Sequence, residues 1–180
     1  MLNIGHTIGV IADDGFALTG GLYYDICGCL GHKATSAEFA DELSADLSEN
    51  PGVRFVSLGA APAAGFDILI VNGRKRTGLL DNLKQDGLII ANSDEPRVME
   101  ALFEFGGGRT AITYGLNRRA CVTLSSIGDC AASLCVQREL PRLGGGLVEE
   151  QELPLRWRNA STDVHAVMAA ATAALILGDA

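Results

Sequence analysis

The chain has 180 residues, nearly half of them apolar, and a formal net charge of -8. That length suits a single domain with a full hydrophobic core and no need of staples. So acidic a chain lacks the basic face that nucleic-acid phosphates require, which excludes nucleic acid as the expected partner. The local basic runs Arg74-Lys75-Arg76 and Arg118-Arg119 read first as solvated loops.

The N-terminus, Met1 to His6, has no positively charged start followed by a long apolar run, so no signal peptide is expected. The most apolar stretch, Val164 to Leu177, covers about four helical turns and falls short of the roughly 20 residues that span a bilayer. It reads as a buried helix, and the protein as cytoplasmic and not membrane-bound. Five cysteines, Cys27, Cys29, Cys121, Cys130 and Cys135, form no Cys-x-x-Cys pair, and His6, His32 and His165 do not join them at ligand spacing. The expectation is free thiols in a reducing compartment and no metal site.

In chain order, Ile8 to Ile11 is a short apolar run expected as a buried strand. A tight turn at Ala12-Asp13-Asp14-Gly15 leads into a helix in which Leu18, Leu22, Ile26 and Leu30 mark one face, with Gly31 as its stop. Lys33 to Ser36 has the texture of a short strand, and Ala37 to Leu47 that of an acidic helix. After the turn Asn50-Pro51-Gly52, Val53 to Leu58 is strand-like. Phe66 to Val71 is a fully apolar strand ending at Asn72-Gly73. Leu79 to Leu83 fits one or two helical turns. Gly87 to Ala91 is another buried strand, ending at Asn92-Ser93-Asp94-Glu95-Pro96. Glu95 to Phe103 is a helix with proline in its first turn. Arg109 to Gly115 is strand-like again.

This alternation implies a mostly parallel sheet flanked by helices. Beyond it, Cys121 to Ser126, Ser133 to Gln137 and Gln151 to Trp157 look like antiparallel strands separated by glycine-rich turns such as Gly144-Gly145-Gly146. A last helix runs from about Thr162 to Leu177 and stops at Gly178. The fold class is therefore α/β, a mostly parallel P-loop-like sheet with a small antiparallel portion in the C-terminal third.

The loop after the first strand decides the chemistry. In a phosphate-binding protein, backbone N–H groups at this helix N-terminus hold an anion, a lysine reaches the phosphates, and a Ser or Thr hydroxyl binds Mg²⁺. Here Gly15 is followed by Phe16, Ala17 and Leu18, whose side chains neither donate nor ligate. Asp13 and Asp14 bring negative charge instead. They suit helix capping, or a cation or partner site, and they repel a triphosphate. At about 5 Å and an effective dielectric near 20, one such pair of like charges costs roughly 3 kcal/mol.

The segment from Ile8 through Thr19 to Leu30-Gly31-His32-Lys33 resembles the first strand, P-loop and helix of the central domain of Mur ligases. In that resemblance Ala12 stands where a glycine is expected, Asp13 and Asp14 stand for Thr-Asn, and Gly15 is retained. Phe16 replaces the lysine and Ala17 the Mg²⁺-binding threonine. Phe66 to Asn72, Gly87 to Pro96, Ile112 to Asn117 with Ala120-Cys121-Val122-Thr123, and the helix from Asp163 resemble further motifs of the family, in the family's order. The two asparagines of the helix motif are Asp163 and Ala166 here. A second resemblance, to the opening of four-carbon acid-sugar kinases, is confined to Ala12-Asp13-Asp14 and Thr19-Gly20.

The resemblance implies a Mur ligase central domain as a stand-alone unit, without the UDP-sugar-binding and C-terminal ligase domains. It also implies ATP and Mg²⁺ as cofactors, and a soluble enzyme that couples an amine to a phosphorylated carboxylate. The departures concern catalysis. After Asn72 the family's Asp-His-Leu-Asp stretch is replaced by Gly73-Arg74-Lys75-Arg76. The expectation is a degenerate member with no catalytic residue and no bound ATP or Mg²⁺, serving as a binding or regulatory module linked to the cell envelope. Asp13, Asp14, Gly15, Phe16 and Ala17 form its vestigial nucleotide loop, and Asn72, Asn92, Asp94 and Asn117 its ligand-proximal positions. Two alternatives stand beside it: an ATP-dependent amide ligase or nucleotide-binding subunit completed by a protein partner, and a small-molecule enzyme using Asp13 and Asp14. Either a partner chain or a homo-oligomer is compatible with the sequence.

Overall fold

The computed structural model describes residues 6–11, 20–30, 37–40, 53–57, 65–73, 82–105 and 107–178. The elements in order are β1 (Thr7–Ile11), α1 (Gly20–Leu30), β2 (Ala37–Ala40), β3 (Val53–Ser57), β4 (Phe66–Val71), β5 (Leu83–Asn92) and α2 (Pro96–Phe105). There follow β6 (Ala111–Tyr114), β7 (Val122–Ser125), β8 (Ala131–Val136), β9 (Leu140–Pro141), β10 (Leu147–Val148), β11 (Gln151–Arg156) and α3 (Val164–Leu177).

A nine-stranded sheet runs in the order β11-β8-β7-β6-β5-β4-β1-β3-β2. Every pairing from β2 across to β7 is parallel, and β8 and β11 add antiparallel pairings at the far edge. The expected fold class is thus the observed one. The chain leaves β1 toward β3 and β2 on one side and returns to β4 on the other. β1 is therefore the point where the winding reverses, and in open α/β sheets ligands bind at the strand carboxyl ends beside such a point.

Both faces of the sheet are buried, which is why the central strands read as unbroken apolar runs. Ile8, Val10, Ile68, Ile70, Leu88 and Ile90 pack with α1 and α3 in one cluster. Ile11, Phe66, Leu69, Val71, Ile89 and Ala91 pack with Val98 of α2 in the other, with Leu102 alongside. A Cβ at Gly9 would lie 2.8 Å from Leu69 Cδ1 and 3.0 Å from the Phe66 ring, so the glycine makes room for that second layer. α3 is apolar all round and buried from Ala166 to Ile176, as a helix without a polar face must be. The polar residue within that buried stretch, Thr172, bonds back to the Met168 carbonyl at 2.7 Å.

Several sequence expectations need correction. Ala37–Ala40 is a strand and not the start of a helix, because its backbone pairs with β3 from Ala37↔Val53 to Ala40↔Val56; such pairing overrides weak local propensity. Leu83 belongs to β5; Asn82 just before it is helical, and Leu79 to Asp81 lie outside the described residues. β5 starts four residues before the expected Gly87, and its register on β4 shifts between Phe66 and Ile68. Gly87 sits at this irregularity, where a Cβ would lie 2.7 Å from Leu83 Cδ1 and 3.1 Å from the Asp67 carbonyl. β7 is antiparallel only toward β8; toward β6 it is parallel, with the single pair Tyr114↔Val122. The short β9–β10 hairpin, with Gly145 and Gly146 at positive φ in its turn, had no strand expectation at all. Lys33 to Ser36, Arg74-Lys75-Arg76 and His32 lie outside the described residues.

Candidate functional site

The carboxyl ends of β4, β5 and β6 carry a connected polar network. Asn72 follows β4, and its backbone N–H donates to the Ile11 carbonyl at 2.8 Å, tying it to the end of β1. Its side-chain oxygen accepts from Asn92 Nδ2 at 2.7 Å and from the Tyr114 hydroxyl at 3.0 Å. Asn92 in turn accepts the Asp94 N–H at 2.9 Å. Asn92 is 7% exposed and Tyr114 fully buried, so these bonds are what allow the polar groups to lie there.

The turn after β5 and the loop after β6 are bound together through Asp94. Its Oδ2 accepts the Leu116 N–H at 2.6 Å and its Oδ1 accepts Asn117 Nδ2 at 2.7 Å. Asn117 Nδ2 also donates to Ser93 Oγ at 2.8 Å, and Ser93 Oγ donates to the Tyr114 carbonyl at 3.0 Å. Burial works to raise the Asp94 carboxyl, but the donors from Asn117, Leu116 and His165 outweigh it and hold the group below the usual carboxylate range. Tyr114 is pushed well above the ordinary phenol range by burial, and then by the nearby charges of Asp163 and Asp94. It is a neutral donor throughout the working pH range.

The N-terminus of α3 closes the site. Asp163 caps it, accepting the His165 N–H at 3.0 Å. The His165 ring sits between two carboxylates, with Nε2 3.1 Å from Asp94 Oδ2 and Nδ1 3.3 Å from Asp163 Oδ1.

All four expected ligand-proximal residues, Asn72, Asn92, Asp94 and Asn117, therefore meet in one network. Ser93, Tyr114, Asp163 and His165 complete it; none of them is among the ligand-proximal positions expected from sequence, although Asp163 holds an asparagine position of the helix motif. Asp13, Asp14, Gly15, Phe16 and Ala17 follow Ile11 in the chain and lie outside the described residues. Among the described residues no group of three or more His, Cys, Asp or Glu is arranged to hold a metal ion. An open recess lined by Asp86, Gly107, Gly108 and Arg109 lies at the opposite, amino end of β5 and β6. Its one cation, Arg109, already donates to the carbonyls of Leu83 and Lys84 at 2.9 and 3.0 Å. Among the described residues no helix is long and apolar enough to cross a membrane.

No protein-family model matches the sequence, and no curated protein matches it. Solved structures match in fold. The UDP-N-acetylmuramoylalanyl-D-glutamyl-2,6-diaminopimelate–D-alanyl-D-alanyl ligase of Acinetobacter baumannii superposes with a TM-score of 0.63 at 12% identity, over 97% of this chain and 44% of that one. A murein peptide ligase of Psychrobacter arcticus gives 0.55 at 12% identity, over 97% and 47%. A UDP-N-acetylmuramate:L-alanyl-gamma-D-glutamyl-meso-diaminopimelate ligase of Neisseria meningitides gives 0.54 at 13%, over 96% and 61%. The chain spans less than two thirds of the length of each. At such identities the likeness is one of fold, and the fold of this chain is Mur-ligase-like.

Proposed function

We propose that this chain is a Mur-ligase-like domain serving as a non-catalytic binding or regulatory module, linked to cell-envelope or amide-polymer synthesis. The observation that carries the reading is the loop after β1. There Phe16 and Ala17 stand in sequence where a phosphate-binding lysine and a Mg²⁺-binding hydroxyl are needed, next to the carboxylates of Asp13 and Asp14. These residues do not fit Mg-ATP: an aromatic ring and a methyl group offer no donor to a phosphate and no ligand to a metal.

The polar network supports the same reading. The Asp94 carboxylate accepts from Leu116, from Asn117 and, when its facing nitrogen is protonated, from His165. A carboxylate has about four acceptor positions, so most of this group's capacity is used inside the fold. The network holds strand ends in place and leaves little to offer a metal or a phosphorylated intermediate.

Titration calorimetry with Mg-ATP tests the proposal. The expected result is no saturable heat; a dissociation constant in the micromolar range overturns it. The double variant Phe16→Lys/Ala17→Thr, which returns the missing cation and hydroxyl, is the matched control and is expected to bind more tightly than the parent.

A further inference from the structure

His165 has both ring nitrogens directed at carboxylate oxygens, one on Asp94 and one on Asp163. A neutral imidazole carries one N–H and one lone pair, so only the imidazolium form donates to both. The two acceptors belong to different elements. Asp163 caps α3, whereas Asp94 sits in the turn after β5 and grips the β6–β7 loop through Leu116 and Asn117. The side chain of His165 is 26% exposed, so protons reach it from solvent.

We infer that His165 is a pH-sensitive latch. In its protonated form it fastens the β5–α2 turn and the β6–β7 loop to the N-terminus of α3. Histidine is the side chain that ordinarily changes charge between pH 5 and 8. When the ring loses a proton, one nitrogen presents a lone pair to a carboxylate oxygen. That contact turns from attraction to repulsion, and one of the two carboxylates separates from the ring. Among the described residues, the charged and titratable groups around the ring are Asp94 from the β5–α2 turn, Asp163 and the positive end of α3, and Tyr114 from β6, which feels both carboxylates. Glu95 follows Asp94 on its own turn, Arg97 lies in the first turn of α2, and Arg118 and Arg119 follow Asn117 as exposed residues of the loop. The inference concerns the geometry at the strand ends and holds whether or not the loop after β1 binds nucleotide.

Proton–nitrogen NMR of the imidazole and the backbone amides between pH 5 and 8 tests it. The expected result is a His165 ring protonated on both nitrogens at the acid end, with the amides of Leu116, Asn117 and His165 shifting at the ring's own midpoint. In His165→Gln these amides are expected to lose that titration. Asp163→Asn keeps a good helix cap and removes one of the two charges. It is expected to fold and to offer the neutral ring an amide N–H for its lone pair, so that the Leu116 and Asn117 amides respond less to pH than in the parent. Leu116 and Asn117 amides that ignore the ring's titration, or that respond as strongly in Asp163→Asn as in the parent, overturn the latch.

Discussion

Gly115 and Asp94 lie so close that the loop after β6 has no room for a side chain. A Cβ on Gly115 would stand 2.9 Å from Asp94 Cγ and Oδ1, and 2.8 Å from Ser93 Oγ. Asp94 cannot withdraw without losing the Leu116 N–H and Asn117. Gly115→Ala is therefore expected to destabilise the fold by about 2 kcal/mol, the usual cost of inserting a methyl group into a filled site. Urea denaturation measures this. A midpoint indistinguishable from the parent's would mean that the turn after β5 yields freely.

Asn72 and Tyr114 offer a graded test of the buried network. Tyr114→Phe removes one donor, but Asn72 Oδ1 still accepts from Asn92. The expected loss is about 1 kcal/mol, that of an ordinary hydrogen bond. Asn72→Leu is more severe, because it strands both the Tyr114 hydroxyl and the Asn92 amide, each costing about 1–3 kcal/mol when buried without a partner. The ordering is the content of the prediction; a Tyr114→Phe variant less stable than Asn72→Leu would contradict it.

These residues also show what the sequence makes legible. Asn72, Asn92 and Asn117 stand where apolar strand patterns stop, and a parallel sheet gathers such ends on one edge. Their meeting follows from the strand pattern and the right-handed crossovers that parallel strands require. His165 and Asp163 arrive from a helix far along the chain. Asp163 shows as a capping residue ahead of an apolar run and as an asparagine position of the resembled helix motif, but nothing in the neighbouring sequence says what His165 will face. Ala37–Ala40 reads as helical in sequence because a strand only four residues long shows too little alternation to separate it from a helical turn. The two-residue strands β9 and β10 carry no periodicity whatever. They are fixed by packing, through buried Leu140 and Val148 and through the Leu143 N–H, which donates to the Ile176 carbonyl at 3.1 Å at the end of α3.

Asp67 should govern part of the acid limb of stability. Burial alone would raise its carboxyl, but the His6 ring 4.0 Å away, the hydrogen bonds from Lys84 and the Thr7 N–H, and the Lys84 charge hold it far below the usual carboxylate range. The group is thus less readily protonated folded than unfolded. Its contribution is complete above the unfolded carboxyl range and is lost as pH falls through that range toward the folded value. Asp67→Asn is expected to flatten the fall in melting temperature below about pH 4. At neutral pH it should cost what the parent loses on protonation, since Asn lacks the charge at every pH; with Lys84 substantially exposed that is about 1 kcal/mol or less. Asp67→Ala should cost more at every pH, since it leaves the Thr7 N–H, bonded to Asp67 at 2.8 Å, without that partner. Melting curves from pH 2 to 7 distinguish the two; parallel curves for parent and Asp67→Asn would remove Asp67 from the account.

Pro154 lies in β11, the last strand on its side of the sheet. The Trp157 N–H donates to the Cys130 carbonyl at 3.1 Å. Antiparallel ladders alternate, so the main-chain groups of Leu155, Leu153 and Gln151 also face β8, while those of Glu152, Pro154 and Arg156 face away from it. The Cys29 thiol reaching the Arg156 carbonyl at 3.6 Å agrees with that phase. The missing proline N–H therefore costs the sheet no bond, and it interrupts the row of donors that another strand would need at this edge. Pro154→Thr restores the donor and adds a β-branched side chain. Its effect on stability is expected to stay within about 1 kcal/mol, while the self-associated fraction rises above the parent's as concentration increases. Sedimentation velocity over a concentration series reads this directly, and equal association of the two proteins would show that this proline does not guard the edge.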